Sequence, residues 1–288
     1  MQEQHAPAGG GNSSPWLNPG DSLPRRVEAY DLVKRFGDHV AVDHISFTVD
    51  EGEVFGLLGP NGAGKSTIIK MLTTLLPPTS GRALVAGYDV ARQPTAVRQL
   101  IGYVPQAISA DGGLTGYENL LVFAQLYDIP RAEQSKRVRE ALAFMGLQEA
   151  GDRLVRTYSG GMIRRLEVAQ AALHRPAVLF LDEPTVGLDP IARKTVWEHL
   201  ESLRQRLRMT MLLTTHYMEE ADSLCQRIAI MHLGKIMGMG TPAELKASVG
   251  GPDTTLDEVF THYTGNTLET GGSYRETART RRAARRLG

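Results

Sequence analysis

Polar and apolar residues alternate in two early stretches of the chain, Val27-Glu28-Ala29-Tyr30-Asp31-Leu32 and His44-Ile45-Ser46-Phe47-Thr48-Val49. A period of two predicts half-buried strands, here an antiparallel opening to the fold. The pattern then changes to short unbroken apolar runs at 54–58, 101–104, 178–181 and 210–215. Such runs are expected of parallel strands covered on both faces. Between them apolar spacing turns helical, at 66–72, 94–100, 118–127, 137–145, from 162 through 171, and around 196–200. A strand at 83–86, a hairpin of 227–231 with 235–237, and two short helices at 242–249 and 254–263 complete the expected elements. Strand, helix, strand in this order implies an α/β fold with a mostly parallel sheet and helices on both faces. The stretch from about 108 to 165 has only helical spacing and reads as an α-helical subdomain inserted into that core.

Composition marks the ends of the folded part. Residues 1–24 are rich in Gly, Pro, Ser and Asn, with Trp16 as the one large apolar group, and read as a disordered tail. The main domain is expected over 25–245, a short helical extension over 246–264, and a second disordered tail over 265–288. That last stretch carries Arg275, Arg279, Arg281, Arg282, Arg285 and Arg286, either as a solvated run or as a contact for anionic lipid headgroups. Lys and Arg together number 32, as do Asp and Glu, so no global charge argues for nucleic acid. The single Cys225 excludes an intrachain disulfide framework. No apolar run approaches the ~20 residues that span a bilayer, and the start lacks the features of a signal peptide. The expectation is a soluble, cytosolic protein that meets a membrane only through a partner.

The chemistry begins at Gly59-Pro60-Asn61-Gly62-Ala63-Gly64-Lys65-Ser66-Thr67, which fits the phosphate-binding pattern G-x-x-x-x-G-K-[ST] between a predicted strand and a predicted helix. Glycines let backbone N–H groups turn onto a phosphate, and the helix N-terminus adds partial positive charge. Lys65 would neutralise the β/γ-phosphates and Ser66 would ligate Mg²⁺. The apolar run at 178–181 ends in Asp182 and Glu183, placed to hold the metal and to act as general base on water. Gln106 and His216 also stand at strand ends, where ligand-facing groups collect. Ser159, Gly160 and Gly161 open a helix and form a second potential phosphate cradle. Phe36, expected in the turn after the first strand, is a candidate to stack on a purine.

In order, these elements resemble the nucleotide-binding subunit of ATP-binding-cassette transporters over about residues 27–245. The resemblance implies a phosphate-loop nucleotide hydrolase core that binds ATP and Mg²⁺. It implies that Phe36 stacks on adenine, Gln106 senses metal and water, Asp182 serves magnesium, Glu183 is catalytic, Asp189 meets a second subunit and His216 is the switch histidine. Tyr158 and Met162 depart from the commonest signature, which has Leu and Gln there. The residues matching Ser159, Gly160 and Gly161 cap ATP held by another subunit, so the resemblance implies a homodimer on ATP binding. It also implies a separate membrane permease and a peripheral place on the cytoplasmic face of the membrane. The stretches 114–120 and 256–265 resemble drug-resistance exporters of the daunorubicin-resistance group. Alternatives are a soluble ATPase of the superfamily in DNA repair or translation, an importer subunit, and a phosphotransferase sharing only the phosphate loop. The interval between loop and signature shows no sustained heptads, and the chain has a single cassette.

Overall fold

A computed structural model describes residues 24–251 and 253–265. The glycine-rich N-terminal stretch with Trp16 and the arginine-rich C-terminal stretch lie outside the described residues. Strands β1 (Arg25–Phe36) and β2 (His39–Asp50) form a long antiparallel hairpin. Both run well beyond the stretches whose alternation predicts them. Their pairing shifts register between Arg25 and Val27, between Ala29 and Leu32, between Leu32 and Lys34, and between Lys34 and Arg35. Each shift breaks the period of two, which hides the full strand from pattern reading. Phe36 is therefore not in the turn but is the last residue of β1, paired with His39.

Then follow β3 (Val54–Leu58), α1 (Lys65–Leu72), β4 (Ser80–Val85), the two-residue β5 (Tyr88–Asp89), α2 (Pro94–Leu100) and β6 (Ile101–Val104). Next come α3 (Gly116–Leu126), α4 (Arg131–Phe144), two 3-10 turns and α5 (Gly160–Ala172). The chain continues through β7 (Val178–Asp182), α6 (Pro190–Leu207), β8 (Thr210–Thr215), α7 (Met218–Leu224), β9 (Arg227–His232), β10 (Lys235–Gly240), α8 (Pro242–Val249) and α9 (Leu256–Thr264). The pattern reading omits β5 and α7, both shorter than the window in which a period shows.

Two sheets result. One is antiparallel, ordered β2-β1-β4-β5; the other is ordered β10-β9-β3-β8-β7-β6 and is parallel except for β10. Alternate residues of the parallel strands feed two apolar cores. Phe55, Leu57, Phe180 and Leu212 pack with α1 and the antiparallel sheet, while Leu58, Leu179, Leu181 and Leu213 pack under α3, α5 and α6. Both faces are covered, which explains why the runs are unbroken. Phe47 of one sheet stacks on Phe55 of the other at 5.3 Å, tying the layers together. Burial of each such large side chain contributes ~1.5–3 kcal/mol.

The helical region after β6 is anchored locally. Thr115 and Glu118 form a reciprocal capping box at the start of α3, an arrangement that satisfies two orphan amides at once. Helix α5 begins in the region expected as an insertion and runs on to Ala172, with Val168, Ala169, Ala171 and Ala172 buried in the core. The boundary expected at about 165 lies within the span of α5.

Candidate nucleotide-hydrolysis site

Parallel register sets the site. Leu58 pairs with Thr215, Asp182 with Thr214, and Val104 with Leu181. The C-terminal ends of β3, β8, β7 and β6 therefore lie side by side, and the chain leaves each of them carrying a candidate residue.

The loop 59–64 leaves β3 and turns directly into α1. Gly64 has φ 98° and is the N-cap of α1, and a β-carbon there would strike the Ala41 carbonyl. Gly62 also has a positive φ of 82°. Both conformations suit glycine and strain any other residue. Gly59 donates its N–H to the Thr215 carbonyl at 3.2 Å, and Ala63 donates to Pro60 at 3.2 Å. Asn61 is exposed at the tip, and Thr67 is half-buried in the first turn of α1.

Lys65 is buried, and its Nζ donates to the carbonyls of Gly59 at 2.7 Å and Pro60 at 3.0 Å. The same ammonium lies 3.2 Å from Glu183 Oε1. Its pKa is lowered by burial, against which Glu183 works in the opposite direction. A buried cation at a helix N-terminus, resting on carbonyls of its own glycine loop, fits a polyphosphate as its stronger partner. Ser66 Oγ donates to Asp182 Oδ1 at 2.9 Å. One hydroxyl and one carboxylate fit a hard divalent cation that takes its other ligands from phosphate and water.

Glu183 is the hub. Gln106 Nε2 donates to Glu183 Oε2 at 3.2 Å, and His216 Nδ1 lies 3.4 Å from the same oxygen, a close approach outside hydrogen-bond geometry. Burial pushes the Glu183 carboxyl up, but His216 and Lys65 together outweigh it and hold the group below the usual glutamate range. The carboxylate is thus ionised and able to accept a proton. Its backbone sits at φ 48°, a region that strains a residue with a side chain. The strain is held by two hydrogen bonds from the Glu183 N–H, to Thr214 Oγ1 at 2.9 Å and the Thr214 carbonyl at 3.2 Å.

Lys65, Ser66, Gln106, Asp182, Glu183 and His216 are therefore brought into one cluster. Other candidates lie apart from it. Phe36 is half exposed at the end of β1, with Lys34 Nζ 5.3 Å from its ring centre. Ser159 caps α5 by accepting from the Met162 N–H at 3.3 Å. A β-carbon on Gly160 would come 3.3 Å from Leu188, and one on Gly161 would come 2.9 Å from Ala192. The signature thus packs on its own chain's 188–192 segment, with Ser159 and Gly160 facing outward. Asp189 caps α6, accepting from Ile191 and Ala192 at 3.0 and 2.9 Å. Of the two departures from the common signature, Tyr158 is buried and donates its hydroxyl to the Ala150 carbonyl at 2.6 Å, while Met162 packs against the core.

Three residues absent from the sequence reading hold this site in shape. Thr214 donates to Asp182 Oδ1 at 2.7 Å as well as accepting from Glu183. Arg164 on α5 donates to the carbonyls of Pro105 and Gln106 at 2.8 and 3.0 Å. Glu167, 3.0 Å from Arg164, accepts from Ser109 N–H and Oγ. A charged pair at i, i+3 on the apolar-packed α5 was the one available signal; a hydroxyl in a buried strand gave none.

A glycine cradle, a buried lysine, a serine–aspartate pair and an ionised glutamate at the carboxyl ends of parallel strands define a phosphate-loop nucleoside triphosphatase. The family described as "ABC transporter" matches residues 42–186. The chain is 47% identical over 226 residues to the daunorubicin/doxorubicin resistance ATP-binding protein DrrA of Streptomyces peucetius, spanning 78% of this chain and 68% of that one. It is 41% identical over 230 residues to the linearmycin resistance ATP-binding protein LnrL of Bacillus subtilis, spanning 80% and 73%. A solved ATP-binding subunit of an ABC transporter superposes with a TM-score of 0.74 at 30% identity, covering 83% of this chain and 99% of that one. The chain belongs to the ABC transporter family and is one of its ATP-binding, ATP-hydrolysing subunits. Among the described residues no helix is long and apolar enough to cross a membrane.

Proposed function

We propose that this subunit hydrolyses Mg²⁺-ATP to power export of a drug-like or lipid-like molecule through a separate membrane permease, working peripherally at the cytoplasmic membrane face. The observation that carries the chemical part is the contact of Glu183 with Lys65, Gln106 and His216. In this reading the loop amides and Lys65 hold the β/γ-phosphates, and Ser66, Asp182 and Gln106 attend the metal. Bound Mg²⁺ supplies neutralisation of the phosphate charge. Glu183 accepts the proton of the attacking water, Gln106 orients that carboxylate, and His216 steadies the γ-phosphate. Phe36, half exposed at the end of β1, stacks on the adenine.

The dimer follows from what faces outward. Ser159 and Gly160 open α5 towards solvent and make no contact with their own Lys65 cluster, so in this reading they complete the enclosure of ATP in a second copy. Asp189 and the 81%-exposed Ile191 would lie in that interface. A two-fold arrangement places two ATP molecules between two chains. The link to export rests on the names of the resistance proteins that the chain resembles.

The test is a pair of variants. Glu183→Gln removes the proton acceptor and should lower turnover by about 10²–10⁴-fold while leaving ATP binding intact and trapping a dimer visible by gel filtration. Lys65→Ala should lose nucleotide binding itself. Wild-type hydrolysis by Glu183→Gln would overturn the base assignment, and a monomer with ATP bound would overturn the two-chain site.

A further inference from the structure

Glu220 is a carboxylate outside the cluster above, and it is 1% exposed. It stands on α7, four residues after His216. Its Oε1 accepts from Thr185 Oγ1 at 2.8 Å and from Trp197 Nε1 at 2.8 Å. Thr185 lies two residues beyond Glu183 in the turn that carries the catalytic carboxylate. Trp197 is on α6, the helix capped by Asp189. One buried oxygen atom therefore joins three segments: the turn after β7, the helix after Asp189, and the helix after His216.

A second link runs beside it. The Arg193 guanidinium, one turn into α6, stacks 4.0 Å from the centre of the Tyr217 ring. Tyr217 follows His216 in the chain, and the two rings lie 4.2 Å apart. Arg193 Nε and Glu220 Oε2 are both buried without a hydrogen-bond partner, and burial pushes the Glu220 carboxyl up, against which the hydrogen bonds and the Arg193 charge work in the opposite direction. A carboxylate this deeply buried costs several kcal/mol in desolvation unless its partners are well placed. Packing alone would be served better by an apolar residue. Retaining a carboxylate here makes sense if the hydrogen bonds to Thr185 and Trp197 do something that packing cannot.

We propose that Glu220, with Arg193, is a positioning pair that fixes His216 relative to Glu183 and couples both to the segment containing Asp189. The inference rests on the roles given to Glu183 and His216 under Proposed function. In physical terms, Oε1 of Glu220 holds the Thr185 turn and α6 at one distance from α7. The Arg193–Tyr217 stack then sets the direction of the His216 ring. A shift of the Asp189 end of α6, as a second chain meets it, would be passed to His216 through these two contacts.

The experiment is steady-state ATP hydrolysis by the full chain, with ATP affinity measured separately by fluorescence of a trinitrophenyl-ATP probe. Glu220→Gln keeps an amide oxygen able to accept from Thr185 and Trp197, and is expected to retain kcat within a few-fold. Glu220→Met removes the acceptor and is expected to lower kcat about tenfold or more, a barrier rise of ~1.4 kcal/mol, with KM and probe affinity unchanged. Should Glu220→Met fold poorly, Trp197→Phe and Arg193→Met each remove one contact and should show the same split of kcat from KM to a smaller degree. The proposal is overturned if Glu220→Met or both milder variants turn over at the wild-type rate. It is also overturned if Glu220→Gln is as slow as Glu220→Met, since that would make charge rather than geometry the requirement. His216→Ala run in parallel separates the two readings. A fast His216→Ala variant defeats the assumed role of His216, whereas a slow one beside a fast Glu220→Met defeats only the positioning pair.

Discussion

Replacing Thr214 by valine removes one oxygen and nearly nothing else. The residue is fully buried, so the change exposes no surface. Its hydroxyl donates to Asp182 Oδ1 at 2.7 Å and accepts the Glu183 N–H at 2.9 Å. The first is a hydrogen bond to a charged acceptor, a kind worth ~1.5–3 kcal/mol. The second is partly replaced, because the same N–H already reaches the Thr214 carbonyl at 3.2 Å, so its loss costs about 0.5–1 kcal/mol. Valine adds a buried methyl that returns ~0.8 kcal/mol. The balance is a destabilisation of about 2 kcal/mol. In a domain of this size that lowers Tm by about 4–8 °C. The catalytic effect should be larger than the thermal one suggests, because the lost bond is one of the two that hold Glu183 at φ 48°. The assay is a thermal melt by circular dichroism beside ATP turnover for Thr214→Val and Thr214→Ser. Serine keeps the oxygen and should stay near wild type in turnover. A valine variant that melts within 1 °C of wild type, as a rough threshold on this scale, would refute the accounting. Unchanged turnover would refute the claim that Thr214 holds the catalytic turn.

Two further outcomes are expected. Arg164→Met strands the buried Glu167 carboxylate and frees the Pro105 and Gln106 carbonyls. Breaking one side of a buried pair costs about 3–5 kcal/mol, so unfolding should begin at lower denaturant and hydrogen exchange at 105–110 should accelerate, while the double variant Arg164→Met with Glu167→Leu should regain most of the loss. His174 stacks on Tyr127 at 3.6 Å and donates from Nε2 to the Ile101 carbonyl at 3.1 Å, with burial pushing its pKa down to about 4. The unfolded chain takes up a proton near pH 6.5 that the folded chain refuses until about 4, so this group's contribution is present above 6.5 and lost as the pH falls. Urea melts at pH 7 and pH 5 should show the wild type losing about 1–2 kcal/mol more than His174→Phe; equal losses in the two would show that His174 is not the group involved.

The phosphate loop was legible because its requirement is local: closely spaced glycines, a lysine and a hydroxyl between a strand and a helix need no distant partner to be recognised. The four buried strand runs were legible for the same kind of reason, since apolar residues on both faces leave a continuous pattern. What pattern alone did not determine was which strand ends become neighbours. The order β3, β8, β7, β6 and its parallel register bring Lys65, His216, Glu183 and Gln106 together from positions far apart in the chain. The resemblance to the transporter family supplied roles for those residues, yet not the pairing of Lys65 with Glu183, the left-handed backbone at Glu183, or the hydroxyl of Thr214 beneath both.

The same division holds for the helices. Amphipathic spacing determined that α3, α4 and α6 exist, because their buried faces recur with the helical period. It did not determine that α5 would carry an exposed Ser159 at one end and, further along, an Arg164–Glu167 pair gripping the Gln106 loop. Nor did it determine that Glu220 would be enclosed by Thr185 and Trp197. A buried charge leaves no period in a sequence; its meaning depends on partners that only chain folding brings within 3 Å. By itself the sequence determined a nucleotide-binding loop in an α/β frame, and the tertiary structure decided which side chains surround that loop and what holds each of them in place.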